Sequence, residues 1–166
     1  MLTEGQNKKL KPDTLACGVL VMADIRLIRS PAELEGTCYF EFLPGQYCKK
    51  CWNEGSVFFA EEVFDLIEPI FERHIPGFDH YAFVEVSRDQ CSLIINELET
   101  FRDRLANVNG VAELGTLVRL TAAFATRDLE SAFLETRRSI QKMVADLAAW
   151  LREESAHHNK ISVLGM

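Results

Sequence analysis

The chain has 166 residues, of which 48% are hydrophobic, and it carries a formal net charge of −7. This length and composition are typical of one globular domain with a sizeable core. The negative charge argues against unspecific binding to nucleic acid or anionic membranes, because both attract positively charged proteins. No apolar run approaches the roughly 20 residues that a membrane helix needs, so we expect neither a nucleic-acid partner nor a membrane partner.

The first 14 residues are polar and rich in lysine, which predicts a mobile arm ahead of a single globular domain over residues 15–166. Met22 is a second possible start of translation. Alternating apolar residues predict a first strand over residues 19–28.

The chain has five cysteines, an odd number, and no secretory signal pattern. We therefore expect free thiols and a cytoplasmic location.

Two short elements and a loop come next. Ser30-Pro31-Ala32-Glu33 has the residue order of a helix start, and Gly36 limits that helix to about one turn. Residues 37–43 alternate, with three side chains facing one way: Cys38, Phe40 and Phe42. This alternation predicts a strand. Pro44-Gly45 ends the strand, and residues 46–55 are predicted to form a loop.

The first long helix is predicted over residues 60–74 and has an apolar side and an acidic side. The apolar side comprises Phe59, Val63, Leu66, Ile67, Ile70 and Phe71. The acidic side comprises Glu61, Asp65, Glu68 and Glu72, whose spacings of three and four residues place them together. Pro69 lies inside this pattern and removes one backbone hydrogen bond, so a kink is predicted near Asp65.

A strand over residues 81–86 is predicted to lead into a second long helix. Ser87 and Gln90 have the spacing of a capping box at the start of that helix. Its apolar side comprises Cys91, Ile94, Ile95, Leu98, Phe101 and Leu105. Residues 107–110 end the helix.

The remaining elements complete the predicted fold. Residues 111–126 allow a loosely placed helix. A last long helix is predicted over residues 129–154 with Asp128 as its N-cap, followed by a strand over residues 160–164. Helices and strands are intermixed without regular alternation. We therefore predict the α+β class, with an antiparallel or mixed sheet packed against three or four helices.

Cys48-Lys49-Lys50-Cys51 is the sharpest chemical pattern. Two thiolates at this spacing can hold one side of a tetrahedral zinc site, but the sequence has no second pair. Cys38, His74 or His80 could complete such a site only through a contact made by the fold. A redox pair would open a helix that lowers the thiol pKa, whereas these residues read as a loop. We therefore favour two free thiols, with no metal and no cofactor.

The sequence offers no recognisable catalytic constellation. His74, Asp79 and His80 lie close together, and a His–Asp couple can orient a base, but no nucleophile motif accompanies them. The segment from Gly110 to Gly115 lacks the lysine and hydroxyl pair of a phosphate-binding loop. We therefore expect a protein without enzymatic activity.

The segment EEVFDLIEPIFERHIPGFDHY at residues 61–81, and the C-terminal helix followed by KISVLG, carry a family resemblance. They resemble small bacterial immunity proteins of polymorphic toxin and contact-dependent growth inhibition systems. The resemblance covers residues 55–106 and 129–166. It implies a cytoplasmic protein that binds and neutralises one cognate toxin domain, often a nuclease.

The acidic side of the first helix has two interpretations, a solvated face and a docking surface for a basic partner. In the second interpretation, a basic toxin domain contacts six residues: Glu61, Asp65, Glu68, Glu72, Asp79 and His80. Two other classes stay open. One is a small metal- or thiol-dependent protein that uses Cys48 and Cys51, and the other is a non-catalytic regulatory or scaffold protein.

Overall fold

The computed structural model describes residues 24–121, Phe124 and residues 126–165. The predicted arm of residues 1–14, Met22 and the first part of the predicted strand over residues 19–28 lie outside them. Within that predicted strand, Ile28 forms an antiparallel β-bridge with Phe58 through two backbone hydrogen bonds, with N···O distances of 2.9 and 2.8 Å. The start signal at Ser30 produces a single turn of 3-10 helix, Pro31–Glu33, and Ser30 Oγ accepts the Ala32 amide.

The sheet has four strands in the spatial order β2-β1-β4-β3, and every neighbouring pair is antiparallel. The strands are β1 (Tyr39–Pro44), β2 (Val57–Ala60), β3 (Phe83–Ser87) and β4 (Lys160–Leu164). The C-terminal strand therefore lies in the middle of the sheet, between β1 and β3. This topology brings the end of the chain beside the loop that precedes β3.

The described part of the chain contains six α-helices in addition to the 3-10 turn. They are α1 (Glu61–Phe64), α2 (Glu68–His74), α3 (Arg88–Ala106), α4 (Val111–Leu117), α5 (Thr126–Ser131) and α6 (Phe133–His157). The α+β class and the antiparallel sheet are confirmed. None of the described helices combines the length and the apolar character that crossing a bilayer requires.

The main core lies between one face of the sheet and the helices. Alternate residues of each strand point into it, as the period of a strand requires. At its centre, the Phe42 ring meets the rings of Phe71 and Trp150 edge to face, at centroid distances of 5.4 and 6.4 Å. Phe40 stacks on Phe64 at 4.1 Å. These contacts join β1 to α1, α2 and α6 in one apolar cluster.

The opposite face of the sheet is covered by the loop between β1 and β2. Trp52 stacks on Phe58 of β2 at a centroid distance of 5.9 Å, and Tyr47 packs against Phe83 of β3 at 4.8 Å. The loop therefore spans the sheet from one edge strand to the other. Phe58 is fully buried as a result.

The capping box that opens α3 is confirmed. The Gln90 amide donates to Ser87 Oγ at 3.3 Å, and the Ser87 amide donates to Gln90 Oε1 at 2.9 Å. The predicted apolar side is also confirmed, because all of its members are buried: Cys91, Ile94, Ile95, Leu98, Phe101 and Leu105. This side of α3 packs against α6 and α2.

The predicted helix over residues 60–74 is interrupted. It forms α1 and α2, with a turn at residues 65–67 between them. The kink was predicted at the right place, and its cause is Pro69 in the first turn of α2, which has no N–H to donate to Asp65. The prediction was wrong for Phe59, which belongs to β2. That strand is buried on both faces, so it lacks the alternation from which a strand is recognised.

The C-terminal helix also differs from its prediction at one end. Asp128 lies inside α5, whereas α6 begins after Ala132, so the prediction of Asp128 as the cap of the long helix was wrong. The short helix α5 takes the place of the first turn that was predicted for the long helix. The loosely predicted helix over residues 111–126 is α4, after which Val118 is extended. The final strand over residues 160–164 is confirmed as β4.

Leu98 and Leu93 lie on opposite sides of α3 and provide a matched test of its packing. Leu98 is 0% exposed and Leu93 is 52% exposed. We expect Leu98→Ala to lower the free energy of unfolding by about 2–5 kcal/mol, because it removes buried methyl groups and leaves a cavity. Leu93→Ala should change it by less than about 0.5 kcal/mol. Urea unfolding of both variants measures the difference, and equal losses would mean that the buried side of α3 is wrongly assigned.

Candidate functional site

The acidic residues of α1 and α2 surround one histidine. The break between the two helices directs their carboxylates toward the loop that precedes β3, and this loop carries His80. We define the His80 cluster by six side chains: Glu61, Asp65, Glu68, Glu72, His80 and Arg119. Four of these residues come from the acidic row predicted from the sequence.

His80 is bound by carboxylates through both ring nitrogens. Nδ1 lies 2.6 Å from Glu68 Oε1, and Nε2 lies 3.2 Å from Glu61 Oε1. The ring also meets the Phe40 ring edge to face at 4.8 Å, which places one side of the imidazole against the core. The orientation of the histidine is therefore determined by two hydrogen bonds and an aromatic contact.

Glu68 is the buried centre of the cluster. It is only 2% exposed, although it carries a carboxylate. One oxygen binds His80, and the other lies 2.5 Å from Arg119 Nη1. Arg119 also contacts Glu72 at 3.3 Å. Because a buried carboxylate is costly unless it is paired, these two cationic partners are what allow Glu68 to lie in the interior.

The backbone around His80 is held by the end of the chain. The Gly165 amide donates to the Ala82 carbonyl at 3.3 Å, which extends the pairing of β4 and β3. A Cβ atom at position 165 would lie 2.0 Å from the His80 carbonyl oxygen. Only glycine fits this contact, so the close approach of the two backbones helps to position the histidine.

The electrostatics of the cluster shift three pKa values, because the pKa of His80, of Asp65 and of Arg119 is raised in each case. Burial lowers the pKa of His80, but its hydrogen bonds to Glu68 and Glu61 outweigh burial and raise the pKa above its ordinary value. Burial also raises the pKa of Asp65, and the nearby Glu68 adds to this effect. Burial therefore acts in opposite directions on His80 and Asp65, whereas the neighbouring carboxylates raise the pKa of both.

The negative charge of the cluster exceeds its positive charge. Four carboxylates face one guanidinium and one imidazolium, so a fully ionised cluster keeps an excess of about two negative charges. One oxygen of Asp65, one oxygen of Glu68 and one nitrogen of His80 lie within 4.8 Å of one another. A cluster of this composition can hold a cation.

Sequence reasoning identified only part of this site. The prediction that a partner contacts Glu61, Asp65, Glu68, Glu72, Asp79 and His80 stays a prediction. Glu68 is buried and paired inside the molecule, whereas Asp79 is exposed and accepts the Tyr81 amide at 3.0 Å. Arg119 was missed, because no local signal connects a residue after α4 with carboxylates about fifty positions earlier.

An exposed tyrosine stands beside the cluster. Tyr81 is 71% exposed, the largest value among the large apolar and aromatic side chains of the described residues. Its ring meets the His80 ring at a centroid distance of 4.7 Å. The tyrosine is therefore fixed on one side and open to solvent on the other.

Cys48 and Cys51 lie in the loop that covers the outer face of the sheet, as predicted. Burial raises the pKa of Cys51, and the charge of Glu41 raises it further. The Cys51 thiol is therefore held in its protonated, less nucleophilic form. Of the three further ligands considered from the sequence, His80 binds Glu68, His74 binds Glu97, and Cys38 is an exposed free cysteine.

A buried carboxylate holds this loop in place. Glu41 is 2% exposed and accepts hydrogen bonds from the amides of Trp52 and Asn53, at 2.6 and 2.9 Å. The side chains of Asn53 and Ser56 donate to it as well, at 2.9 and 2.7 Å. Trp52 takes the left-handed backbone conformation, with φ at 63°, and thereby turns its amide toward Glu41.

A groove of about 630 Å³ lies between α2, α3 and α4. Its polar side contains Arg73 and His74, which both bind Glu97. These contacts lower the pKa of Glu97 although burial acts in the opposite direction. The neighbours His74 and His80 thus belong to different hydrogen-bond networks, one centred on Glu97 and the other on Glu68.

Comparison of this chain with protein-family models, with curated proteins and with solved structures finds no match.

Replacing Glu41 by glutamine tests the hydrogen-bonded loop. We expect Glu41→Gln to lower the free energy of unfolding by about 1–3 kcal/mol, because an amide group would face donors that need an acceptor. Glu54 lies in the same loop and is exposed, so Glu54→Gln serves as the control with the same charge change. Urea unfolding followed by tryptophan fluorescence compares the two variants. Equal stabilities would mean that Glu41 does not hold the loop.

Titration of His80 tests the electrostatics of its cluster. We expect NMR to give a pKa for His80 above 6.5, and Glu61→Gln should lower it because one carboxylate acceptor is removed. Since the folded-state pKa is raised, the ion pairs of His80 stabilise the fold fully below pH 6.5 and weaken as the pH rises through the raised value. A pKa at or below 6.5 would contradict this account.

Proposed function

We propose that this protein is an immunity protein, which binds a cognate basic toxin domain in the cytoplasm and neutralises it. The resemblance of residues 61–81 and of the C-terminal segment to such proteins suggests this class. Neutralisation of a toxin requires no catalytic group in this chain, because inhibition follows from covering a surface of the toxin.

The observation that carries the proposal is the exposed aromatic ring of Tyr81 beside a group of carboxylates. Interfaces commonly have an aromatic anchor at the centre and charged groups at the rim. Tyr81 supplies the anchor at 71% exposure, and its contact with His80 restricts the ring before binding. Asp79 and the exposed Glu72 would supply rim charges.

The overall charge supports a basic partner. A net charge of −7 attracts a cationic domain over a distance of about one Debye length, which accelerates association at low salt. Toxins that cleave nucleic acid need a basic surface to bind it. An acidic inhibitor can therefore both find such a toxin quickly and compete with its substrate.

A growth assay tests the function. A toxin domain encoded immediately upstream of the gene for this chain is expressed from an inducible promoter, with and without this chain. We expect growth arrest by the toxin alone and restored growth when both are present. Arrest that continues in the presence of folded protein, or turnover of a substrate by this chain alone, would overturn the proposal.

Tyr81→Ala tests the proposed surface, with Leu134→Ala as its control. Both side chains are largely exposed, at 71% and 55%, so neither truncation should unfold the protein. We expect Tyr81→Ala to weaken toxin binding at least about tenfold, as loss of an aromatic anchor does, and Leu134→Ala to leave it unchanged. Dissociation rates by surface plasmon resonance at two salt concentrations measure this. Wild-type affinity in Tyr81→Ala would place the interface elsewhere.

A further inference from the structure

We propose that Asp65, Glu68 and His80 form a binding site for one divalent first-row transition ion, of the zinc type. This site is independent of the proposed neutralisation of a toxin. It also differs from the zinc site considered from the sequence, which would use Cys48 and Cys51.

The three ligand groups already lie together. One oxygen of Asp65, one oxygen of Glu68 and one nitrogen of His80 are all within 4.8 Å of one another. Zinc binds imidazole nitrogen and carboxylate oxygen at about 2.0–2.2 Å. An ion between His80 and Glu68 takes the place of the hydrogen bond that joins them at 2.6 Å, so these two groups move slightly apart while Asp65 turns toward the ion. Among the described residues, no other three histidine, cysteine or acidic side chains meet this distance.

Two of the three side chains are held in place by other contacts, and the third is free to turn toward an ion. Glu68 is buried and stays bound to Arg119 through its second oxygen. His80 is held by its aromatic contact with Phe40 and by the close approach of Gly165 to its carbonyl. Asp65 is half-buried and accepts no hydrogen bond from the described residues. It can therefore turn toward an ion without breaking an existing bond.

Charge and ligand type select the ion. His80 must be neutral to bind an ion, so the four carboxylates and the one guanidinium leave an excess of about three negative charges, most of which a divalent cation balances. Calcium and magnesium prefer sites made of oxygen alone, whereas an imidazole ligand favours zinc and its neighbours. Glu61 binds the opposite ring nitrogen of His80 and can hold the imidazole in orientation, as carboxylates commonly do for histidine ligands. Ion binding would replace the hydrogen bond between His80 and Glu68 by coordination of both.

Isothermal titration calorimetry with zinc chloride tests the site in the full-length protein. A Cys48→Ser/Cys51→Ser background removes two thiols that could compete for zinc and that lie in a different loop. In this background we expect one zinc ion per chain with a dissociation constant of about 1 μM or lower. Asp65→Asn should weaken binding about tenfold or more, because it replaces a charged ligand by a neutral amide.

Glu72→Gln is the matched control. Glu72 belongs to the same cluster and binds Arg119, but it is not one of the three ligands. Glu72→Gln removes the same negative charge as Asp65→Asn, so a general electrostatic effect would weaken zinc binding equally in both variants. Circular dichroism confirms that each variant is folded.

The outcomes separate this inference from the proposed function. Absence of zinc binding in the Ser/Ser background, or equal affinities of Asp65→Asn and Glu72→Gln, would overturn the metal site and leave the growth assay unaffected. Loss of binding in Asp65→Asn alone would support the metal site, whether or not a toxin is neutralised.

Discussion

The pairing of the buried carboxylate of Glu68 with His80 and Arg119 is the interaction on which the site depends. It joins three parts of the chain that are distant in sequence: α2, the loop before β3, and the segment after α4. Glu68 can be buried only because both of its oxygens have a cationic partner. Removal of either partner would leave a charge in a poorly solvated position, so the local fold and the charge network stabilise each other.

Glu41 has the same physical role on the other face of the sheet. Its four hydrogen bonds turn a stretch of loop into a cover for β2 and β1, and they place Trp52 over Phe58. The difference lies in the partners. Glu41 binds neutral amides and hydroxyls, which form a structural contact, whereas Glu68 binds titratable and cationic groups. Only the second arrangement contains a histidine, the side chain whose ordinary pKa lies nearest to neutral pH.

The two proposals use adjacent but different features of the same region. Neutralisation of a basic toxin would use the solvent side, where the Tyr81 ring and the exposed carboxylates lie. Metal binding would use the inner side, where Asp65 faces Glu68 and His80. The ring of His80 lies between the two features, because it contacts Tyr81 on one side and belongs to the proposed ligand set on the other.

Local patterns in the sequence were sufficient for the elements whose signals are short in range. The capping box at Ser87, the apolar side of α3, the strand β4 and the interruption before Pro69 all depend on residues within a few positions of one another. Tertiary structure alone decided the rest. Strand β2 carries no alternation because Trp52 covers its outer face, and Glu68 is buried because Arg119, about fifty residues later, reaches it. The acidic row was visible in the sequence, but its partners were not, since a charge is paired by whatever the fold brings near it.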